Sequence, residues 1–340
     1  MFSATKLLRT FAALAAVSLL DSPVCAQQPA CSIRTTFVSV MDERGVPVRG
    51  LAAGDFRAGL RGQTAKIISV KEDVQPRRVL LLLDTGANMR DTTSGKWKLA
   101  LEVATHVVQN TPRNYEMKVA IFGKPGKPDH RLDAGEPISS PISFDDLARG
   151  LPLVDRAVKR PPLFDALADG LRLMDKPRPG DAIFVVTDGA NESSKTKVSE
   201  LEHLLLSAGV RLFAVTFPMR YERSGLTVNA PAFSEDKENT DFLNLSSTSG
   251  GKTMRVLPKF YPNEWGFHFD EKERMALATS LQLMYLQMAH FYRAEFELAK
   301  PLAKTSELAL DVVDASGKSR KSARTLHPRK LEPCSSPPAN

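Results

Sequence analysis

The chain has 340 residues, 42% of them hydrophobic and 25% charged, with a formal net charge of +7. That length accommodates one large domain and a smaller one. Beyond Leu20 no run is long and uncharged enough for a transmembrane helix, and the basic excess comes with no nucleic-acid-binding motif.

The first elements in the chain are those of export. Lys6 and Arg9 precede an apolar stretch from Phe11 to Leu20, and small residues surround Val24-Cys25-Ala26. This is the plan of a secretory signal peptide over residues 1–26, with a core too short to anchor in a bilayer. A lipid-modified Cys25 is the alternative, but Ser22-Pro23-Val24 is a poor approach to such a site. The mature chain is expected to be secreted or periplasmic. Lys6, Arg9 and Asp21 together carry +1, so cleavage would change the net charge from +7 to +6. Cleavage also leaves two cysteines, Cys31 and Cys334, and in an oxidising compartment one disulfide joining the two ends is expected. Two separate thiols or an intermolecular bridge are the alternatives.

Residues 27–77 alternate in short stretches, "TTFVSVMD" and "AKIISVKED", around the turn-rich "ERGVPVRGLAAGDF", as antiparallel strands do. From Arg78 the pattern changes. "VLLLLD" is a continuous apolar run, the mark of a strand covered on both faces. A helix follows, with Trp97, Ala100 or Leu101, Ala104 and Val108 on one face. Next come strand "MKVAIF", helix "PLFDALADGLRLM", strand "AIFVVTD", helix "KVSELEHLLLSAG" and strand "VRLFAVTF". A polar linker leads to a short helix, a Gly-Gly turn and an edge strand, closing a unit at residues 78–258. Strands alternating with helices predict an α/β fold with a doubly wound, mostly parallel sheet, whose ligands sit beyond the carboxyl ends of the strands. Residues 259–292 hold an amphipathic helix with Leu277, Leu281, Met284 and Met288 on one stripe. Residues 293–340 return to short strands and a basic segment, Gly317 to Lys330, read as a solvated strand and tail rather than a surface for anionic polymers. The two flanks are expected to pair into one small β domain.

The functional question centres on Asp84-Thr85-Gly86-Ala87-Asn88. An Asp-Thr-Gly triplet suggests an aspartic protease, which needs a second carboxylate close enough to share a proton. No second triplet occurs, "TDGAN" at Thr187 to Asn191 has the order reversed, and the chain after Asp84 enters a helix rather than a hairpin. The enzyme reading is therefore a remote alternative, through Asp84 alone. The chain shows no paired nucleophile and base, no phosphate-cradling loop and no histidine cluster, so no catalytic residue is assigned.

From Arg78 to Leu257 the order and spacing of the elements resemble a von Willebrand factor A domain. That resemblance implies a metal site built from three loops, Asp-x-Ser-x-Ser, a Thr and an Asp, with one position left for a partner's acidic side chain. Here Asp84 and Asp188 match the two carboxylates, while Gly86 and Asn88 stand where the serines belong. Pro161 takes the place of the Thr, and Arg160 beside it disfavours a cation. Two states stay open: Asp84, Asn88 and Asp188 hold Mg²⁺ or Mn²⁺ weakly, with water completing the shell, or the site is a relic. Asp165 reads as structural, an acidic residue in the first turn of its helix. The flanks resemble those of a bacterial secreted subgroup, the VWFA-related domain proteins seen in acidobacteria. The matching residues are Asp42, Gly45, Pro47, Val48, Leu51, Asp55 and Phe56.

The resemblance implies a module that binds an as yet unidentified protein, with no nucleic-acid partner, through a face formed by Gly86, Arg160, Asn191 and Ser193. A structural scaffold with an inert metal site is the alternative.

Overall fold

A computed structural model describes residues 31–61, 63–90, 95–111, 115–123, 133–134, 161–191, 194–217, 237–256 and 270–334. The proposed signal peptide, Arg160 and Ser193 lie outside these residues.

In chain order the elements are β1 (Ile33–Met41), β2 (Phe56–Leu60), β3 (Gln63–Glu72), β4 (Arg78–Asp84), α1 (Ala87–Arg90), α2 (Lys96–Asn110), β5 (Glu116–Phe122) and β6 (Asp133–Ala134). They continue as α3 (Leu163–Leu173), β7 (Ala182–Thr187), α4 (Val198–Ala208), β8 (Arg211–Thr216), α5 (Lys237–Thr248), β9 (Lys252–Arg255) and α6 (Glu271–Ala289). The chain closes with β10 (Tyr292–Leu298), β11 (Ser306–Val312), β12 (Arg324–Leu326) and β13 (Lys330–Leu331).

The central sheet has the order β6-β5-β4-β7-β8-β9, parallel from β5 to β9 with β6 antiparallel at one edge. Its apolar strands are explained by burial on both faces. Along β4, Val79, Leu81 and Leu83 face a core shared with α2 and α6, whereas Leu80 and Leu82 face α3, α4 and α5. The α6 stripe behaves as its spacing predicts: Leu281, Met284 and Met288 are buried and Leu277 packs beside them. A reciprocal pair starts this helix, with the Asp270 carboxylate accepting from Glu273 N–H at 2.7 Å and Glu273 accepting from Asp270 N–H at 3.0 Å.

The flanks form a second, seven-stranded sheet of order β12-β1-β10-β3-β2-β11-β13. Alternation sets its inner face, as in β10, where Tyr292, Ala294, Phe296 and Leu298 are buried and the residues between them point out. The register shifts between Glu295 and Phe296 against β3, a bulge that helps the sheet curl. The strands at its two ends, β12 and β13, are consecutive in the chain, so the segment 327–329 spans from one end of the curled sheet to the other. Strand β2 follows the turn-rich stretch, sharing only Phe56 with it, and is not among the expected strands; pairing with β3 and β11 on either side overrides the weak local signal of "FRAGL".

The curled sheet joins the central one at the amino ends of the parallel strands. Arg211 opens β8 and is 2% exposed. Its guanidinium donates to Gly180 O at 3.1 Å, Met288 O at 2.6 Å, Gln287 O at 3.4 Å and Ser39 Oγ at 3.5 Å, and lies 4.2 Å from the Phe291 ring centroid. It therefore satisfies carbonyls in the last turn of α6 while touching β1. Burial lowers its pKa to about 10. Beside it Arg77 pairs with Asp73, and Arg78 pairs with fully buried Asp181 at 2.9 Å. A second contact runs through Gly250, whose φ of 81° and close approach leave no room for a side chain: a Cβ there would meet Pro328 N at 2.6 Å.

Cys31 and Cys334, the pair expected to form a disulfide, are in contact, each as a free thiol. A hydrogen bond to Cys334, then burial, raises the Cys31 pKa, and Arg34 donates to Cys334 Sγ at 3.6 Å. Closing the bridge requires an oxidant to take up two electrons.

Two outcomes are expected. Arg211→Leu should destabilise the fold by about 3 kcal/mol in urea unfolding, because the α6 carbonyls lose a charged donor without gaining water. Mild oxidation should remove both thiols from an Ellman titration without dimerisation and raise stability by up to about 5 kcal/mol, the loop-closure limit for so long a span.

Candidate functional site

At the opposite, carboxyl end of the central sheet, β4 and β7 run side by side with Leu83 paired to Val186. The next residues place Asp84 beside Thr187 and bring Asp188 into the same space. Asp84 and Asp188 are 1% and 3% exposed. The Asp84 carboxylate accepts from Gly86 N–H at 2.7 Å and from the Thr187 hydroxyl at 2.7 Å, and the Asp188 backbone N–H also faces it. Asp188 accepts from Ala190 N–H at 2.9 Å and from the Asn88 side chain. The three residues matched to the metal site are thus brought together.

Burial, then the charge of Asp188, raises the Asp84 pKa to about 7; the hydrogen bonds from Thr187, Gly86 and Asp188 oppose this only in part. Burial raises Asp188 as well, opposed by Ala190, by the Lys96 ammonium and by Asn88. Burial therefore disfavours the charge on both carboxylates, and at Asp84 the neighbouring Asp188 adds to it.

The neighbouring loops are tied to this pair. Asn191 is 7% exposed, and its Oδ1 accepts from Phe164 N–H at 3.2 Å at the start of α3 and from the Ser194 hydroxyl. Ser194 Oγ accepts in turn from Phe164 N–H at 3.0 Å and Asp165 N–H at 3.2 Å. Asp165 accepts from Lys195 N–H at 3.0 Å and Thr196 N–H at 2.7 Å, so its role is to fasten α3 to the loop after β7 as well as to suit the helix dipole. Asn191, expected on an exposed binding face, is instead a buried brace beneath it.

A hard cation can be tested against these donors. Mg²⁺ requires oxygens in near-octahedral array, usually with several retained waters. The Asp84 oxygens are already engaged by Gly86 and Thr187. Gly86 supplies no oxygen, and a Cβ built on it would lie 2.9 Å from both Asp84 Oδ1 and Pro161 Cδ, so the Pro161 ring occupies the space a serine would need. The Asn88 amide is directed at Asp188, next to an ammonium. The residues present do not fit Mg²⁺ or Mn²⁺.

Two participants were missed in the sequence, Thr187 and Lys96. Lys96 is 3% exposed in the first turn of α2, a turn with no acidic residue and a Gly95 N-cap that makes no side-chain hydrogen bond. A lysine at the positive end of a helix dipole is electrostatically misplaced unless a carboxylate lies nearby, and that anomaly was the available signal.

A pH dependence follows with a definite sign. Between the unperturbed Asp84 value of 3.8 and about 7 the folded state binds more protons than the unfolded one, so Asp84 makes stability fall as pH rises through that window. Wild-type melting temperature should decline from pH 4 towards 7 relative to Asp84→Asn, which should flatten that part of the profile.

No family model matches the chain, and no curated protein matches it. Solved structures do. The ArnB paralog VWA2 from Sulfolobus acidocaldarius matches at 11% identity with a TM-score of 0.40, over 88% of this chain and 76% of that one. A von Willebrand factor type A structure from Catenulispora acidiphila matches at 11% identity and a TM-score of 0.42, over 88% and 74%. The pilus adhesin SpaC from Lactobacillus rhamnosus GG, in an open conformation, matches at 7% identity and a TM-score of 0.41 over 80% of this chain, which spans only 47% of the adhesin.

Proposed function

We propose that this protein is an exported binding module of the von Willebrand factor A type, which captures another protein through the loops at the carboxyl end of its parallel sheet. The observation that carries the reading is the polarity of the molecule. The curled sheet is attached at the amino ends of the strands through Arg211, Arg77 and Gly250, and the loops after β4 and β7 are braced at the other end. A surface held in place before its partner arrives loses less entropy on binding. Export is supported by the leader-like residues 1–26.

Binding is preferred to catalysis on the same geometry. An acid dyad needs carboxylate oxygens open to substrate and water, whereas Asp84 and Asp188 are 1% and 3% exposed and engaged from within. The scaffold alternative places the contacts on the curled sheet instead, and charge reversal on each surface separates the two. Lys195 and Lys197 are exposed on the loop after β7, and Lys66 and Lys71 on β3.

A partner cross-linked to the wild type in the exported fraction of the source cells should bind the Lys195→Glu/Lys197→Glu variant about tenfold more weakly. It should bind Lys66→Glu/Lys71→Glu normally. The opposite pattern would assign the contacts to the curled sheet.

A further inference from the structure

The misfit between the donors and a divalent ion leaves two buried carboxylates to be neutralised, and the charge that does so is already in the chain. Moving a carboxylate out of water without a counter-charge costs several kcal/mol, so a fold that places two of them in one pocket has to provide positive charge or protons there. In a metal-dependent site the ion does this. Here the space is occupied otherwise: Pro161 packs against Gly86, the amide of Asn88 turns to Asp188, and Lys96 is enclosed at the start of α2, close enough for its charge to favour the ionised form of the same carboxylate.

We propose that the Lys96 ammonium is a built-in replacement for the divalent cation, holding the loops after β4 and β7 together through Asp188 and making this face independent of metal. Three features of the geometry support it. Lys96 is almost completely buried although the aliphatic stem of a lysine normally carries its charge to solvent. It sits in a helical turn where only a nearby anion justifies a cation. Lys96 lies only twelve residues after Asp84 and eight after Asn88 in the chain, so one short segment delivers both the carboxylate and the positive charge. A tethered ammonium also differs chemically from an ion. It offers hydrogen-bond donors and has no exchangeable coordination position, so an acidic side chain of a partner has nothing to ligate. Capture at this face would then rest on the loops' outward side chains. The inference deepens the binding reading given above, but its test reads stability rather than capture, so either can fail alone.

The purified full chain would be melted with EDTA, with Mg²⁺ and with Mn²⁺, beside Lys96→Met, Asp188→Asn and the double variant. The expected result is a wild-type melting temperature that neither ion changes. Lys96→Met should melt about 5–10 °C lower, as expected for stranding a buried charge. Adding Asp188→Asn to it should recover most of that loss. A saturable rise of the wild-type melting temperature with either ion, abolished in Asp188→Asn, would overturn the proposal. So would Lys96→Met and Asp188→Asn effects that simply add. If Lys96→Met does not fold, recovery of a folded double variant supports the pairing, and the wild-type metal titration still decides the question.

Discussion

Two carboxylates buried side by side, at the ends of adjacent strands, are the constraint to which the carboxyl-end loops are fitted. Neither Asp84 nor Asp188 can be placed there cheaply, and each surrounding choice answers that cost. Backbone N–H groups of Gly86 and Ala190 point inward, Thr187 turns its hydroxyl to Asp84, Asn88 its amide to Asp188, and Lys96 is drawn in from α2. The outer loops depend on this inner arrangement. Asn191 and Asp165 fasten the start of α3 to the loop after β7, whose path is set by Asp188. The chemistry of the face is therefore decided one layer below it.

Much of the fold was legible because its strongest signals are local. "VLLLLD" and "AIFVVT" are uninterrupted apolar runs, and only burial on both faces keeps such runs soluble in a folded chain. The stripe on α6 and the Gly-Gly turn before β9 were equally direct. Strand β2 was not legible, since "FRAGL" is held on both sides at once, by β3 across a tight turn and by β11 far along the chain. At the site, Asp84, Asn88 and Asp188 could be selected as a group, but whether their oxygens were open could not, because that depends on Pro161 and Thr187 in other loops. Lys96 was overlooked because a lysine in a helix ordinarily faces water, and only the third dimension shows it enclosed.

The junction between the two sheets follows the same physics with the signs exchanged. Arg211 is a buried cation whose compensation comes from carbonyl dipoles and aromatic faces rather than from a single carboxylate. Two of those carbonyls, of Gln287 and Met288, belong to the last turn of α6, where the helix dipole is negative. The junction thus uses a helix end that would otherwise need water or a cap, and it fixes where β10 begins.

The order of strands in the curled sheet has a consequence for how the molecule comes to be. Ile33 pairs with Glu297 and Ser39 with Leu326, so the first strand of the chain finds its partners only among the last. Contacts so distant in sequence are slow to form, because the intervening chain must be ordered before they are worth making. The central α/β unit lies between them and its strand pairs are separated by less chain than those of β1, so it can assemble while β1 is still unpaired. The outer sheet is then completed around a finished core, and its closure waits on β10 to β13.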